Sequence, residues 1–295
     1  MKKILITGAN SYIGTSVEKY LAKWPDCYKV DTIDMEKADW KEKDFSIYDT
    51  VFHVAGIAHS DDGKTTPEKK ELYKKVNTEL TIETAEKAKE NGVKQFIFMS
   101  SSIVYGETPK IGKIRIITAK TKPSPDNCYG ESKLKAEEGL KKLEKETENG
   151  QGFKVVILRP PMVYGKNSKG NYPLLSKLAK KTRLFPRVNN KRSMLYVENL
   201  AEFIRLMIEN EERGTFCPQN KEYVNTSDLV KGIRKVHGKK TSLIKGFTWA
   251  LKLLGVFTHK VSKAFGSSYY EKSISEYKQE YRLVGLEESI RRTEL

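Results

Sequence analysis

Three residue types in the first half of the chain have the chemistry to move a proton on and off a substrate oxygen. The serine run Ser100-Ser101-Ser102 follows an apolar segment, and Tyr129 and Lys133 stand four positions apart further along. Residues four apart share one face of a helix, and an ammonium group beside a phenol lowers the phenol's pKa from its reference value of about 10. A tyrosine held this way is a usable acid and base near neutral pH, and the hydroxyl of Ser101 can hydrogen-bond the same substrate oxygen. A Tyr-x-x-x-Lys pair alone is more often a solvated helix face, so the prediction depends on what else the chain carries.

A glycine turn near the N-terminus predicts a dinucleotide-binding site upstream of these residues. The segment Thr7-Gly8-Ala9-Asn10-Ser11-Tyr12-Ile13-Gly14 directly follows a short apolar strand and opens a helix. In a β-α-β unit this arrangement aims amide N–H groups and the positive end of the helix at a pyrophosphate. A glycine pair alone is a weak signal that also occurs in ordinary tight turns, but the position between strand and helix favours the cofactor. The residues expected to bind it here are Gly8, Asn10, Ser11, Tyr12, Ile13 and Gly14.

Asp34, at the end of the second predicted strand, indicates whether the dinucleotide is NAD or NADP. Asp34 stands 20 residues after Gly14, the separation typical of a carboxylate that binds the adenosine ribose hydroxyls and repels a 2′-phosphate. The sequence therefore favours NAD over NADP. Asp31 is the competing residue, and an ordinary strand-end turn is the other interpretation of Asp34.

Strands and helices alternate up to about residue 160, and this order predicts how the chemical groups are held. The predicted strands are Lys2–Thr7, Tyr28–Ile33, Thr50–Val54, Gln95–Met99 and Lys154–Leu158, and the predicted helices are Ile13–Lys23, Tyr73–Asn91, Gly130–Glu146 and Glu198–Asn210. Repeated β-α-β units indicate an α/β fold, a Rossmann-type doubly wound parallel sheet with a smaller C-terminal substrate-binding domain. We expect residues 1–165, with about 193–212, to form the NAD-binding domain, and 166–192 with 213–295 to form the substrate-binding domain.

Composition narrows the class of protein further. The 54 Lys plus Arg residues against 38 Asp plus Glu give a formal net charge of +16, which favours anionic partners without choosing among them. Three widely spaced cysteines and four histidines without ligand spacing predict neither disulfides nor a metal site. With no secretory signal and no spanning segment in the sequence, a cytoplasmic protein is expected.

These motifs together resemble the extended short-chain dehydrogenase/reductases, specifically their NAD-dependent sugar epimerase/dehydratase branch. The resemblance covers nearly the whole chain to about Asn220 and the tail more weakly. It implies that Ser101, Tyr129 and Lys133 are the catalytic triad and that Lys133 also holds the nicotinamide ribose. Ser101 is selected from the serine run by the Val104-Tyr105-Gly106 segment that follows it.

The same resemblance assigns further residues to cofactor and substrate. It implies cofactor contacts for Ala55, Gly56, Asn77, Tyr129, Lys133, Pro160 and Val163, and substrate contacts for Ser101, Ser102, Tyr129, Asn171 and Arg192. Two positions depart from the family pattern. Ser11 stands where a middle glycine is usual, and Met162 replaces an asparagine that often holds the nucleotide diphosphate.

The resemblance also limits the reaction. Dehydratases of this branch carry an Asp-Glu pair after the catalytic hydroxyl residue, where this chain has Ser102 and Ile103, so dehydration is not expected. The remaining reactions are 4-epimerisation through a transient 4-keto intermediate and one-way NAD(P)H-dependent reduction of a 4-keto sugar. Epimerisation of a nucleotide-linked or polyprenyl-diphosphate-linked sugar in surface polysaccharide biosynthesis is favoured, because Asp34 indicates NAD.

Two further interpretations of the positive net charge are nucleic-acid binding and contact with a membrane. A nucleic-acid-binding protein is disfavoured by the complete Ser, Tyr and Lys set. The segment Leu243–Phe257 has the spacing of a basic amphipathic helix, which either packs on the core or lies peripherally on an anionic membrane surface at the inner face of the cell membrane. The tail also resembles that of enzymes acting on polyprenyl-diphosphate-linked sugars, and a homodimer is a further arrangement left open.

Overall fold

The apolar runs of the first half form a six-stranded parallel sheet in the computed structural model, which describes residues 1–58, 66–144, 152–246 and 265–295. The described strands are β1 (Lys2–Thr7), β2 (Tyr28–Ile33), β3 (Thr50–His53), β4 (Gln95–Met99), β5 (Ile114–Ile117), β6 (Lys154–Leu158), β7 (Met162–Tyr164), β8 (Leu184–Pro186), β9 (Met194–Tyr196), β10 (Gly214–Phe216), β11 (Ser242–Ile244) and β12 (Ser267–Tyr270). The described helices are α1 (Tyr12–Leu21), α2 (Pro67–Tyr73), α3 (Leu80–Glu90), α4 (Cys128–Leu143), α5 (Asn171–Lys181), α6 (Val197–Glu209), α7 (Thr226–Val236) and α8 (Leu286–Glu294).

The sheet has the strand order β10-β6-β4-β3-β1-β2, with every neighbouring pair parallel. Its central strands are buried at nearly every position, because helices cover both faces of a parallel sheet and leave no solvated face. The sequence order reverses beside β1, with β2 on one side and β3 on the other. Since ligands of doubly wound sheets bind at the carboxyl ends of strands flanking such a reversal, this arrangement positions the candidate site. The predicted α/β fold with a Rossmann-type parallel sheet is confirmed.

The chain divides into two units, each made of interleaved segments. The first unit contains residues 1–106, 122–160 and 201–217, and the second contains 107–121, 161–200 and 218–295. These boundaries differ from the predicted ones: residues 107–121 belong to the second unit, the chain leaves the first unit after Pro160 rather than at 165, and it returns over 201–217 rather than 193–212. Residues 214–216 belong to the first unit because β10 is the edge strand beside β6.

The described residues of the second unit include three short two-stranded parallel sheets: β8 with β11, β5 with β12, and β7 with β9. The pairing of Ile114 with Ser267 joins parts of the chain that are far apart in sequence. Strand β11 corrects one prediction, since Leu243 and Ile244, the first residues of the predicted basic helix, lie in a strand. The rest of that predicted helix, from residue 247, lies outside the described residues.

Candidate active site

Helix α4 and the carboxyl end of β4 bring the three predicted catalytic residues together in the first unit. Asn127 caps the helix by accepting a hydrogen bond from the Gly130 amide at 2.8 Å, so Tyr129 lies in the first turn and Lys133 one turn later. Ser101 follows β4 and is hydrogen-bonded to the hydroxyl of Tyr129. Ser101 also accepts a hydrogen bond from the Ile103 amide at 3.2 Å, which fixes its position at the strand end.

The pKa of Tyr129 differs from the sequence-based expectation. Burial raises the pKa of its phenol to about 12, the hydrogen bond with Ser101 lowers it in part, and Tyr73 raises it. The rings of Tyr73 and Tyr129 are 5.9 Å apart, so α2 contributes a neighbour that the sequence did not identify. Burial of the phenol dominates its pKa, and Lys133 is not among the groups that shift it, contrary to the expectation.

Lys133 is a buried lysine with neighbours on several sides. Its Nζ donates to the Met99 carbonyl at 2.9 Å and lies 4.6 Å from the centre of the Phe98 ring. Burial lowers the pKa of Lys133 to about 8, and the carboxylate of Glu137 opposes that shift. The pKa of Lys133 is therefore close to neutral pH, and the Met99 carbonyl fixes the direction of its ammonium group.

Beneath the triad lies a buried polar network that sequence reasoning missed. Arg159 donates to both carboxylate oxygens of Glu137, with Nε at 3.0 and 3.2 Å, and to the Tyr105 hydroxyl at 2.7 Å. Ser100 donates to Glu137 at 2.5 Å. Glu137 continues the helix face of Tyr129 and Lys133 at the same four-residue spacing, which was a usable signal. Arg159 offered no local signal, since its partner is 22 residues away.

The predicted dinucleotide turn connects β1 to α1. The amides of Gly8 and Ala9 both donate to the Ile33 carbonyl, at 2.9 and 3.0 Å, which places the turn beside the end of β2. Gly8 has φ +83°, and a Cβ there would lie 2.9 Å from the Ala55 backbone, so only glycine fits. Ser11 accepts a hydrogen bond from the Gly14 amide at 3.1 Å and is thus the N-cap of α1. This explains the departure at Ser11, because serine is a preferred capping residue.

Asn77 links this region to the catalytic helix. It is fully buried in a π-helical turn (Lys74–Glu79), accepts from the Ile57 amide at 2.9 Å, and donates to the Ile57 carbonyl and to Ser132 Oγ. Gly56 passes so close that a Cβ would lie 2.9 Å from the Asn77 Oδ1 and 3.3 Å from the Lys133 Nζ. Asn77, Gly56 and Lys133 therefore lie close together.

Asp34 and Asp31 differ in their surroundings. Asp34 is exposed just after β2, and one of its carboxylate oxygens accepts a hydrogen bond from the Glu36 amide at 3.0 Å. Asp31 accepts a hydrogen bond from the Tyr48 hydroxyl at 2.7 Å. Asp34 lies at the carboxyl end of the strand beside the dinucleotide turn, whereas Asp31 has a structural partner within the unit.

The remaining predicted residues are divided between the two units. Ser102 and Pro160 belong to the first unit, where the Ser102 amide donates to the Pro160 carbonyl at 2.9 Å. Val163 lies in β7 of the second unit, and Asn171 is the first residue of α5. Arg192 pairs its backbone with Val224 and Ser268, and burial lowers the pKa of its guanidinium to about 10.

The other chemical groups of the described residues have structural explanations. His53 is buried between the Thr7 and Thr81 hydroxyls, at 2.9 and 3.1 Å, and burial with the nearby charge of Lys133 lowers its pKa to about 3, as expected of a core residue. Among the described residues there is no His, Cys, Asp and Glu cluster fit for a metal ion. None of the helices in the described ranges is long and apolar enough to cross a bilayer.

Comparison with known proteins identifies a family and several similar proteins. The model of the NAD dependent epimerase/dehydratase family matches residues 4–217. A UDP-glucose 4-epimerase of Vibrio cholerae is 32% identical over an alignment of 289 positions, which covers 90% of this chain and 83% of that protein. The N-acetyl-alpha-D-glucosaminyl-diphospho-ditrans,octacis-undecaprenol 4-epimerase of Escherichia coli O157:H7 is 28% identical, over 92% of this chain and 83% of that one. The crystal structure of UDP-glucuronic acid 4-epimerase from Bacillus cereus in complex with NAD has the same fold, with a TM-score of 0.72, 20% identity and coverage of 98% and 96% of the two chains.

Proposed function

The chain belongs to the NAD-dependent epimerase/dehydratase family and uses NAD, and we propose that it is a 4-epimerase of a sugar carried on a diphosphate. The observation that carries the proposal is the hydrogen-bonded pair of Ser101 and Tyr129, one helical turn from the buried ammonium of Lys133. Both curated relatives described above are 4-epimerases that match more than four fifths of their own length, which supports the same reaction. We place the enzyme in the cytoplasm, in surface polysaccharide biosynthesis.

The residues of the first unit fit NAD. The amides of Tyr12 and Ile13 belong to the first turn of α1, whose N–H groups have no partner within the helix and favour a pyrophosphate. The Tyr12 hydroxyl is buried and finds no hydrogen-bond partner in the described part of the chain, so it can bind a polar group of the ligand. Asp34 binds the adenosine ribose, and Asn77 and Lys133 hold the nicotinamide end. When bound, NAD supplies a hydride acceptor and a positive charge that favours an ionised phenol.

Tyr129 is the proton carrier in this proposal. Its phenolate takes the proton from the sugar 4-hydroxyl as C4 is oxidised, and its phenol returns a proton when the 4-keto sugar is reduced from the other face. Ser101 donates to the same substrate oxygen and steadies the phenol to which it is already hydrogen-bonded. Lys133 acts through its contact with the nicotinamide ribose, and the hydrogen bond from Ser101 favours the ionised phenol.

Two of the predicted substrate residues carry side chains suited to a diphosphate carrier. Asn171 and Arg192 bind the diphosphate, and the guanidinium of Arg192 is suited to phosphate because its donors form a planar fork. Met162 in β7 lacks the amide that family members use to hold a nucleotide diphosphate. This substitution favours a polyprenyl diphosphate over a nucleoside diphosphate as the carrier.

The test is to purify the protein, identify any retained dinucleotide by mass spectrometry, and incubate it with polyprenyl-diphosphate-linked N-acetylglucosamine, UDP-N-acetylglucosamine and UDP-glucose. We expect NAD to be retained or required and the C4 epimer to form without added reductant. The Tyr129→Phe variant is the matched control, because it removes only the proton carrier, and its turnover should fall at least ~10²-fold with the fold intact.

Two results would contradict the proposal. A 4-keto sugar consumed only with added NADPH, with no epimerisation of any of the three substrates, would make the protein a reductase. Full activity of Tyr129→Phe on the true substrate would contradict the role of Tyr129 as the proton carrier.

A further inference from the structure

The outward face of helix α5 carries large apolar side chains where a soluble helix usually carries polar ones. Leu174 is 58% exposed and Leu178 is 44% exposed, while the buried side of the helix consists of Tyr172, Ser176 and Ala179. Leu174 and Leu178 are four residues apart and therefore adjacent on the helix surface. Two of the three leucines of the helix are therefore exposed, while two of its three buried residues are small.

The packing of the second unit does not need this outward face. Arg234 on α7 donates to the Ala179 carbonyl at 2.7 Å, and Ser176 donates to Glu294 on α8 at 2.9 Å. Both contacts lie on the buried side of α5. The helix is thus held in place without its leucines, which leaves Leu174 and Leu178 available to a partner.

The charged residues near the leucines in the sequence all have one sign. No aspartate or glutamate occurs from residue 166 to residue 197, and the first part of this stretch carries seven cations: Lys166, Lys169, Lys177, Lys180, Lys181, Arg183 and Arg187. Lys177 and Lys181 lie on the outward face with the leucines, both are exposed, and neither forms an ion pair with any residue in the described ranges. Lys180, by contrast, pairs with Glu294 at 3.2 Å.

The apolar and basic character continues past the helix. Leu184 opens β8, is 58% exposed, and follows the exposed Arg183. Strand β11 pairs with β8, and the residues before β11 include the exposed Lys239 and Lys240. We call the set Leu174, Lys177, Leu178, Lys181, Arg183 and Leu184 the α5 surface.

We propose that the α5 surface docks the enzyme on a bilayer of anionic phospholipid, with its leucines entering the headgroup boundary and its cations contacting the lipid phosphates. Exposed leucines beside exposed cations favour an anionic membrane, because the leucines can enter the apolar boundary while the cations contact the lipid phosphates. Docking deepens the proposed function, because a polyprenyl-diphosphate-linked substrate resides in the bilayer.

The experiment is co-sedimentation of the full-length protein with vesicles of phosphatidylcholine containing about 30 mol% phosphatidylglycerol, at low salt, and with vesicles of phosphatidylcholine alone. We expect binding to the anionic vesicles only, with release by salt. Two independent variants test the surface, Leu174→Glu with Leu178→Glu and Lys177→Glu with Lys181→Glu, and each should reduce the bound fraction at least ~10-fold.

Matched controls separate the surface from net charge and from general loss of leucine. Lys141→Glu with Lys142→Glu makes the same charge change at exposed positions of α4, and Leu72→Glu with Leu283→Glu replaces two equally exposed leucines elsewhere. Both controls should bind like the unaltered protein. Thermal melting of every variant identifies any that fails to fold.

Several outcomes would overturn the proposal. These are no binding by the unaltered protein, equal binding to both kinds of vesicle, equal loss in the controls, a change of oligomeric state in the α5 variants without vesicles, or loss of binding only on Leu251→Glu with Leu254→Glu in the tail. Turnover of a water-soluble UDP-sugar should be unchanged in the α5 variants. Absence of epimerase activity together with intact vesicle binding would instead count against the proposed function alone.

Discussion

Lys133 and the two lysines on the outward side of α5 carry the same ammonium group in opposite surroundings. Lys133 is 5% exposed, donates to a main-chain carbonyl, and has a pKa lowered by burial to about 8. Lys177 and Lys181 are exposed and pair with no carboxylate in the described part of the chain. Burial makes a lysine specific and titratable near neutral pH, because the low-polarity surroundings penalise its charge. Exposure leaves a permanent charge that acts at a distance and is screened by salt.

The difference extends to the neighbours of each lysine. Around Lys133 the buried groups form a closed network, in which Glu137 is neutralised by Arg159 and hydrogen-bonded by Ser100. Removal of one member leaves a buried charge without its partner. On α5, removal of a lysine leaves nothing unpaired, so stability should hardly change.

The largest effect is expected for Glu137→Ala. The change leaves the buried guanidinium of Arg159 without its carboxylate, so the free energy of unfolding should fall by about 3–5 kcal/mol. Urea denaturation followed by circular dichroism measures it. Glu138→Ala, at the exposed neighbouring position, is the control and should stay within about 0.5 kcal/mol of the unaltered protein. Similar losses in the two variants would mean that the network contributes no more than a surface residue.

Next in size is the effect of Lys133→Met on catalysis. Methionine keeps most of the side-chain volume but removes the ammonium, so turnover should fall at least ~10²-fold and NAD should bind more weakly. Steady-state kinetics and calorimetry report the two quantities. Lys177→Met removes the same group from α5 and should leave turnover on a soluble substrate unchanged. A comparable loss of turnover in Lys177→Met would contradict the special role of the buried lysine.

A smaller effect is expected for Asp34→Ala. The loss of its carboxylate should narrow the preference for NAD over NADP by about tenfold, since the group that repels a 2′-phosphate is gone. Calorimetric titration with each dinucleotide measures the preference. Asp31→Ala is the control and should leave the preference as it was, because Asp31 is held by Tyr48. If the unaltered protein bound NADP more tightly than NAD, the role of Asp34 in excluding a 2′-phosphate would be wrong.

The smallest expected effect is on the pH dependence of NAD binding. Lys133 presents a positive charge to the cofactor only when it is protonated, and burial lowers its pKa from 10.5 to about 8. Affinity for NAD should therefore be highest below pH 8 and fall about threefold or more as the pH rises through that value. Calorimetry on the unaltered protein and on Lys133→Met measures this. A fall of the same size in the methionine variant would assign the titration to another group.

The sheet was largely predictable from the sequence, whereas the second unit was not. Strands β1, β2, β4 and β6 begin and end at the predicted residues. The apolar runs in β1, β4 and β6 are typical of buried parallel strands, whereas β2 is an edge strand with polar residues among its apolar ones. Strands of three or four residues, such as β7 and β8, are too short to show a period. Helix α5 was missed for a different reason. Its leucines face outward, so its apolar pattern does not mark its buried side.

The candidate site divides in the same way. Ser101, Tyr129 and Asn77 lie in motifs whose spacing is local. Ser101 is hydrogen-bonded to Tyr129, and Asn77 lies close to Gly56. The raised pKa of Tyr129 could not be predicted, because it depends on burial among residues from separate elements, including Tyr73. Arg159 was missed as a charged partner of the helix for the same physical reason, since its contacts are made only in the folded chain.

The pairing of β5 with β12 has a consequence for the order of events during synthesis. Ser267 follows its partner Ile114 by 153 positions, so β5 leaves the ribosome roughly 8 to 30 s before the strand it pairs with. Every segment of the first unit lies before residue 218, so all strands of its sheet are synthesised before β12. The second unit has to wait for the C-terminal part of the chain, and until then β5 is an unpaired strand that carries Ile114 and Ile116. Completion of the second unit is therefore the late step in the production of this protein, and the interval before it is when the nascent chain is most exposed to wrong strand partners.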